Sequence, residues 1–361
     1  MELILKDGTK LAAEDGITAI EAVKLISESL ARNTLVIKVN DEFVSFSDKL
    51  SGECKIEAFT FADETGREAY RHTCSHILAQ AVKNIFPTAL FAIGPAITNG
   101  FYYDFEFKTP ITQEDFPKIE SEMARIIKAD LPIVRSYMTR KEAEAFLKKI
   151  KQPYKIELLG DIPDGEKISF YTQGDFADLC SGPHLNSTGK IKAFKLTSLT
   201  GAYWRGNEKN KMLTRIYGTA FDKKSNLEEY LVKLEEMKNR DHNKLGRELG
   251  IFMTDENVGQ GLPLIMPKGA RMIQILSRFV EDEEERRGYL LTKTPSMSKN
   301  NLFITSGHWD HYKDKMFYMG EEGVDEEILC LRPMTCPFQF TIYKNGLKSY
   351  RDLPIRYAET A

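Results

Sequence analysis

Residues 71–86 read RHTCSHILAQAVKNIF. Apolar residues recur through this stretch at helical spacing, which predicts an amphipathic helix over 67–86. His72 and His76 stand four residues apart, so their rings share one helix face about one turn apart. Only six histidines occur in 361 residues, and two of them fall on this turn. A second pair, Cys180 and His184 in DFADLCSGPHLN, flanks Ser-Gly-Pro, which favours a turn over a helix. The combined pattern is HxxxH followed by CxxxH.

Three readings of that pattern stay open. Each side chain can simply cap, pack or sit at the surface. Two histidines, a cysteine and a further histidine are also nitrogen and sulfur donors suited to tetrahedral zinc. The third reading is a metal-free hydrolytic site, whose imidazoles, with pKa near neutrality, orient or deprotonate a water. Residue chemistry does not separate the last two.

Outward from that helix, residues 62–219 alternate helix-like and strand-like patterns, an α+β block. Further helices are predicted at 112–129 and 139–151, with strands around AIGPAITNGFYYDFEF. Before it, ELIL, the turn KDGT and KLAAE predict a hairpin at Asp7-Gly8. Thr18 opens a helix in TAIEAVKLIS with Glu21 three residues on, the capping-box spacing. Strands follow at TLVIKVN, EFVSFS and CKIEAFTF, a small ββαββ module like the ubiquitin grasp. After the block, KSNLEEYLVKLEEMKNRDHNKLGREL predicts one long charged connector helix with a stripe through Leu227, Leu231, Leu234 and Met237. The remainder predicts a strand, a helix entered near Pro267 and Lys268, and a strand bounded by Gly288 and Pro295.

Fifty basic residues against 53 acidic ones give a net charge of -3, so no global field draws the chain to nucleic acid or acidic lipid. One local excess stands out. Between 188 and 215, Lys190, Lys192, Lys195, Arg205, Lys209, Lys211 and Arg215 face Glu208 alone. With Tyr203 and Trp204 as stacking surfaces, this predicts a place for an RNA end; the plainer alternative is a solvated hairpin with its Trp in the core. A hydrophobic content of 42% predicts a folded chain, and 361 residues predict two or three domains. No stretch has the apolar length of a membrane span, and MELILKDGTK is unlike a signal peptide. Five scattered cysteines fit a reducing compartment, so a cytoplasmic protein is expected.

HTCSHILAQAV, DLCSGPH, GAYWRGNEKNKMLTRIYGTAF, TSGHWDHYKDKMF and LRPMTCP stand in the order and approximate spacing found in bacterial threonyl-tRNA synthetases, and the resemblance covers the entire chain. It implies an α+β multidomain protein: a β-grasp TGS domain at 1–61, an editing domain at 62–224, a linker helix at 225–245, and the opening of a class II antiparallel-sheet core at 246–361. ERRGYLLTKTPSM resembles class II motif 1, which implies a homodimer through that region. Motifs 2 and 3 are absent from the sequence, so aminoacylation by this chain alone is not expected.

The resemblance also implies partners and cofactors: tRNA-Thr, threonine, ATP with Mg2+, and a catalytic Zn2+. Cys336 matches that zinc's cysteine ligand, its two histidines being expected downstream, and Met334 in the same RPMTCP segment is assigned to substrate binding. Phe338-Gln339 departs from the family pattern. In the editing domain, His72, His76, Cys180 and His184 match the family's editing residues. The implied roles give His72 the water, His76 and His184 the terminal ribose and the seryl group, Cys180 and Asp178 the amino-acid pocket, and Lys155 the oxyanion or the water.

Two sites make chemical sense for such an enzyme. Serine lacks one methyl group of threonine, a difference worth only about 1–3 kcal/mol, or roughly 10–200-fold, so a second site must hydrolyse seryl-tRNA. The competing functions are a non-catalytic RNA- or subunit-binding module and a zinc-dependent hydrolase built on the HxxxH/CxxxH cluster.

Overall fold

Thr18 caps the first helix with the predicted box: its hydroxyl accepts from the Glu21 amide while the Glu21 carboxylate accepts from the Thr18 amide. This computed structural model describes residues 1–360 and falls into two units, Met1–Glu235 and Glu236–Ala361.

The first unit opens with β1 (Glu2–Ile4), β2 (Lys10–Ala12), α1 (Ala19–Ile26), α2 (Glu28–Asn33), β3 (Val36–Val39), β4 (Glu42–Val44) and β5 (Glu53–Phe59). The sheet order is β2-β1-β5-β3-β4, with β1 parallel to β5. Gly8, at φ 83°, closes the predicted β1-β2 hairpin. All five expected strand segments form strands, one more than the ββαββ label counts, and the expectation was one helix short because Ser27 ends α1 and caps α2. Leu3, Ala19, Ala22, Val23, Ile37 and Ile56 make the core beneath the sheet.

Next come α3 (Glu64–Ile85), β6 (Leu90–Phe91), β7 (Ala96–Ile97), β8 (Gly100–Glu106), α4 (Phe116–Lys128), β9 (Ile133–Met138), α5 (Arg140–Lys149), α6 (Pro153–Asp161), β10 (Ile168–Gln173), β11 (Phe176–Leu179), β12 (Ala193–Tyr203), β13 (Met212–Phe221) and α7 (Lys224–Asn239). One sheet runs β12-β13-β8-β6 with β7 beside β8; a second runs β11-β10-β9. The α+β expectation holds, and α6 is an addition to it.

The predicted amphipathic face of α3 is a simplification. The helix is buried almost all round from Ala69 to Val82, packed on α4, β7, β8 and β13 within one core. A helix covered on several sides needs small and polar residues where neighbours approach closely, so its pattern is not a clean stripe. His72 is the one residue of that run left half-buried.

The connector is not one helix. α7 ends at Asn239, and a new helix, His242–Glu248, starts where the Asp241 carboxylate accepts from the Asn243 and Lys244 amides.

In the second unit the helix Pro267–Arg286 begins, as predicted, with proline in its first turn. Its strands are short. Met297–Lys299, Leu329–Leu331 and Tyr318–Met319 form an antiparallel sheet, whereas Leu290–Leu291 pairs in parallel with Tyr357–Ala358. Among the described residues the second unit therefore holds several small pairings rather than one antiparallel sheet. Phe303, Trp309, Met316, Ile328, Cys330 and Phe338 form its core. No described helix is long and apolar enough to cross a membrane.

Candidate active site

The β10-β11 hairpin brings the two distant motifs together. Its register sets Tyr171 opposite Asp178 and Phe170 opposite Leu179. Asp178 and Cys180, two residues apart in extended chain, point the same way, toward α3. The chain then turns through Gly182, at φ 74°, and a cis Gly182-Pro183 peptide to His184. A side chain at Gly182 would collide with the Tyr171 hydroxyl, so the turn needs glycine on both counts.

All four predicted residues converge. One ligand atom each from His72, His76, Cys180 and His184 lies within 4.8 Å of the others. The Cys180 sulfur is 3.3 Å from Nε2 of His72 and 3.3 Å from Nε2 of His184, and it accepts the Gly182 amide. The His72 and His76 rings lie 4.2 and 4.1 Å, centroid to centroid, from His184 at tilts of 34° and 52°, and edge-on to each other at 5.1 Å.

Asp178 anchors the floor. Lys155 Nζ is 2.6 Å from its Oδ1, the Tyr103 hydroxyl donates to its Oδ2 at 2.6 Å, and Nε2 of His76 stands 3.7 Å away. Gln173 donates to the His76 carbonyl and to Gln80, tying α3 to β10.

Burial sets the electrostatics. Desolvation pushes His72 down to about 4 and His76 to about 3, outweighing the opposite pull of Asp178. His184 also falls well below its ordinary value through burial and its two histidine neighbours. The shifts run against the expectation of imidazoles titrating near neutrality: burial disfavours the charged form and keeps these rings neutral at pH 7. Burial likewise drives the Cys180 thiol up to about 12. Burial alone would raise Asp178, but the charge of Lys155, the neighbouring His76 ring and the hydrogen bonds from Lys155 and Tyr103 hold it below the usual carboxylate value.

The cluster opens on a cavity of about 640 Å³ lined by His72, His76, Lys155, Asp178, Cys180 and the Gly94–Ala96 loop, among others. His184 does not line it. It sits behind Cys180 and against a small void of about 50 Å³ shared with Val36, Phe43 and Phe46 of the N-terminal module. The expected contact of His184 with ribose or seryl group therefore has no support in the geometry.

Tyr103 and Thr73 were not foreseen. The signal for Tyr103 was its inward slot between Phe101 and Phe105 on a strand, where a buried hydroxyl needs a partner. Met334 and Cys336 lie in the second unit. The Met334 sulfur contacts Nε2 of His308 at 3.0 Å; Cys336 is exposed and joins no group of three or more metal-ligand residues among those described.

The basic run is largely neutralised by partners remote in sequence. Lys195 pairs with Glu120, Arg205 with Asp161, Lys211 with Glu106, and Arg215 with Asp104 through two bonds of 2.7 and 2.8 Å. Trp204 is buried, donates to Glu157 at 2.8 Å and packs edge-on against Tyr154. It is core rather than a stacking platform, the plainer of the two sequence readings.

These folds belong to recognisable classes. Residues 1–60 match the TGS domain family, and residues 168–217, which include Asp178, Cys180 and His184, match the threonyl and alanyl tRNA synthetase second additional domain. In sequence the chain corresponds throughout to the N-terminal part of bacterial threonyl-tRNA synthetases. It is 55% identical to the threonine–tRNA ligase of Clostridium perfringens over 361 residues, all of this chain and 56% of that protein. It is 52% identical to that of Acetivibrio thermocellus over 359 residues, 99% of this chain and 56% of that protein. A solved RNA-binding domain of threonyl-tRNA synthetase from Cryptosporidium parvum Iowa II is 38% identical, covering 34% of this chain and 30% of that one, with a TM-score of 0.31. The chain spans about half the length of the curated relatives it matches.

Proposed function

We propose that the chain is part of a cytoplasmic threonine–tRNA ligase and that the His/Cys cluster is its proofreading centre, hydrolysing seryl-tRNA-Thr. The observation that carries this reading is the meeting of His72, His76, Cys180 and the Lys155–Asp178 pair at one open cavity. In the reaction a water oxygen bonds to the acyl carbon of the ester and the bond from that carbon to the ribose oxygen breaks. The ribose oxygen takes a proton, and serine leaves as a carboxylate.

Neutral His72 offers a lone pair to hold and polarise the water, and its low basicity means the proton leaves the water as the carbon–oxygen bond forms rather than beforehand. The Lys155 ammonium, fixed by Asp178, faces the charge that develops on the carbonyl oxygen. Asp178 and Cys180 bound the seryl side of the pocket, and His76 is the ring nearest Asp178. A thiol held at about 12 is no nucleophile, which supports direct attack by water.

The four donors are of the kind zinc takes. Their donor atoms lie within 4.8 Å of one another; we favour the metal-free reading because the thiol is already paired with His72 and His184 through 3.3 Å contacts, and chelator sensitivity distinguishes the two. For the ligase half, one cysteine does not hold zinc, and Cys336 is the single candidate ligand in its segment.

We place the module boundaries at 1–61, 62–224, 225–245 and 246–361, the last as the opening of a class II core. Threonine, tRNA-Thr, ATP and Mg2+ are the partners of the whole enzyme. The helix Pro267–Arg286 exposes Met272, Ile273, Ile275, Leu276, Phe279 and Val280, and Leu290 and Leu291 follow it. This apolar face supports a homodimer contact.

Single-turnover hydrolysis tests the reading. Serine should be released from seryl-tRNA-Thr much faster than threonine from threonyl-tRNA-Thr, with no loss in 1,10-phenanthroline. Absence of turnover would favour a binding module, and chelator-sensitive turnover a zinc hydrolase.

A further inference from the structure

We propose that Thr73 is a positioning residue whose hydroxyl fixes the tautomer of His184 and, through Cys180, keeps Nε2 of His72 unprotonated. The functional consequence rests on the hydrolytic reading above; the hydrogen-bond assignment does not.

Thr73 is fully buried, in α3 between His72 and Cys74. Its Oγ1 accepts the Leu185 amide at 2.9 Å and lies 3.2 Å from Nδ1 of His184. A hydroxyl carries one hydrogen. Threonines in helices commonly return it to the carbonyl one turn back, as Thr305 does here to Asn301. Thr73 makes no such bond among the described residues, so Nδ1 of His184 is the acceptor its hydrogen has. A neutral imidazole that accepts at Nδ1 carries its proton on Nε2.

The rest of the chain of bonds follows from that one choice. Nε2–H of His184 points at the Cys180 sulfur 3.3 Å away, which the Gly182 amide also approaches as a donor. With two donors on the sulfur, the thiol hydrogen is left to point at Nε2 of His72, 3.3 Å on the other side. The Pro183 backbone lies beside the His72 ring and favours its protonated form; with the thiol hydrogen directed at Nε2, the neutral His72 ring carries its own proton on Nδ1. Each donor then meets an acceptor along the run from the Leu185 amide through Thr73, His184 and Cys180 to Nε2 of His72.

This assignment explains two features that have no direct role otherwise. His184 is conspicuously out of the cavity yet matches the cluster's spacing, because it acts on Cys180 from behind. The thiol is too weak an acid to attack the ester, yet it is a weak donor that marks the lone pair of His72 and yields it to an entering water.

Removing the hydroxyl while keeping the shape should scramble the chain. In Thr73→Val, His184 has no donor at Nδ1, its proton is free to move there, and the thiol hydrogen can turn to His184 instead of His72. The Leu185 amide also loses its acceptor, so Thr73→Ser, which restores the hydroxyl, is the paired control.

The test uses the full chain with 15N-labelled histidine. Ring 15N shifts and long-range couplings report which nitrogen bears the proton, and the His184 signal is identified by its loss in His184→Asn. The expected result is Nε2–H on His184 and an unprotonated Nε2 on His72 in the unaltered protein and in Thr73→Ser, with that pattern lost in Thr73→Val. Single-turnover serine release should fall roughly ten- to a hundredfold in Thr73→Val, as for a misplaced reacting group, with the KM for seryl-tRNA unchanged and the rate restored in Thr73→Ser. A proton on Nδ1 of His184 in the unaltered chain overturns the proposal even if Thr73→Val does not fold. The same tautomers in Thr73→Val as in the unaltered chain also overturn it. The expected tautomers without any hydrolysis by the unaltered chain support the hydrogen-bond assignment and remove the hydrolytic reading instead.

Discussion

Lys155 and Asp178 are joined by a 2.6 Å ion pair with both side chains about 5% exposed. Such a pair holds a site together more through the penalty for breaking it than through its own net attraction. Lys155→Ala leaves a buried carboxylate with Tyr103 as its remaining close donor, so the first unit should lose about 3–5 kcal/mol in urea unfolding. The double replacement Lys155→Met with Asp178→Leu should recover most of that loss while serine release stays abolished. Equal stability of Lys155→Ala and the unaltered chain would show that the pair is not desolvated.

Thiol chemistry should sort the cysteines by environment. Cys180 is held up at about 12 by burial, and Cys74 is raised further, whereas Cys336 is exposed. Alkylation by iodoacetamide at pH 8, followed by peptide mass spectrometry, should label Cys336 first and leave Cys180 largely unmodified in the folded chain. Rapid labelling of Cys180 would mean a thiolate, and with it a covalent mechanism.

Acid should loosen the editing cluster in a particular window. His72 and His76 have folded values lowered to about 4 and about 3 from an ordinary 6.5, and His184 is also lowered. Below pH 6.5 the unfolded chain binds protons that the folded chain refuses. Stability therefore falls as pH drops from about 6.5 toward 4, by up to about 1.4 kcal/mol per pH unit for each such ring. Above 6.5 these rings contribute no slope. Urea unfolding at pH 7, 6, 5 and 4.5 should show this fall, and His76→Asn should make it shallower.

How much of this was legible in the sequence depends on distance along the chain. The capping box at Thr18, the hairpin at Gly8 and proline at the start of the helix at 267 were readable because each is settled within a few residues. The pairing of His72 with His76 followed from helix geometry, and Cys180 with His184 from a turn. That the two pairs meet depends on how β10 and β11 register against α3, which no local pattern encodes. Asp104 neutralises Arg215 across 111 residues and Glu106 neutralises Lys211 across 105, so a local charge count overstated the positive field of the hairpin that ends in Trp204. The same limit hid Tyr103 and Thr73, whose partners lie 75 and 111 residues away. Burial, which turns titrating histidines into neutral ones, exists only once the chain is folded.

The central claim is that His72 holds the attacking water in a pocket that takes the aminoacylated end of a tRNA. Its most direct test is the single-turnover rate of serine release from seryl-tRNA-Thr by His72→Ala beside the unaltered chain, with the tRNA dissociation constant measured for both. Release should slow by about a hundredfold or more while tRNA affinity changes little. Equal rates in the two proteins would contradict it.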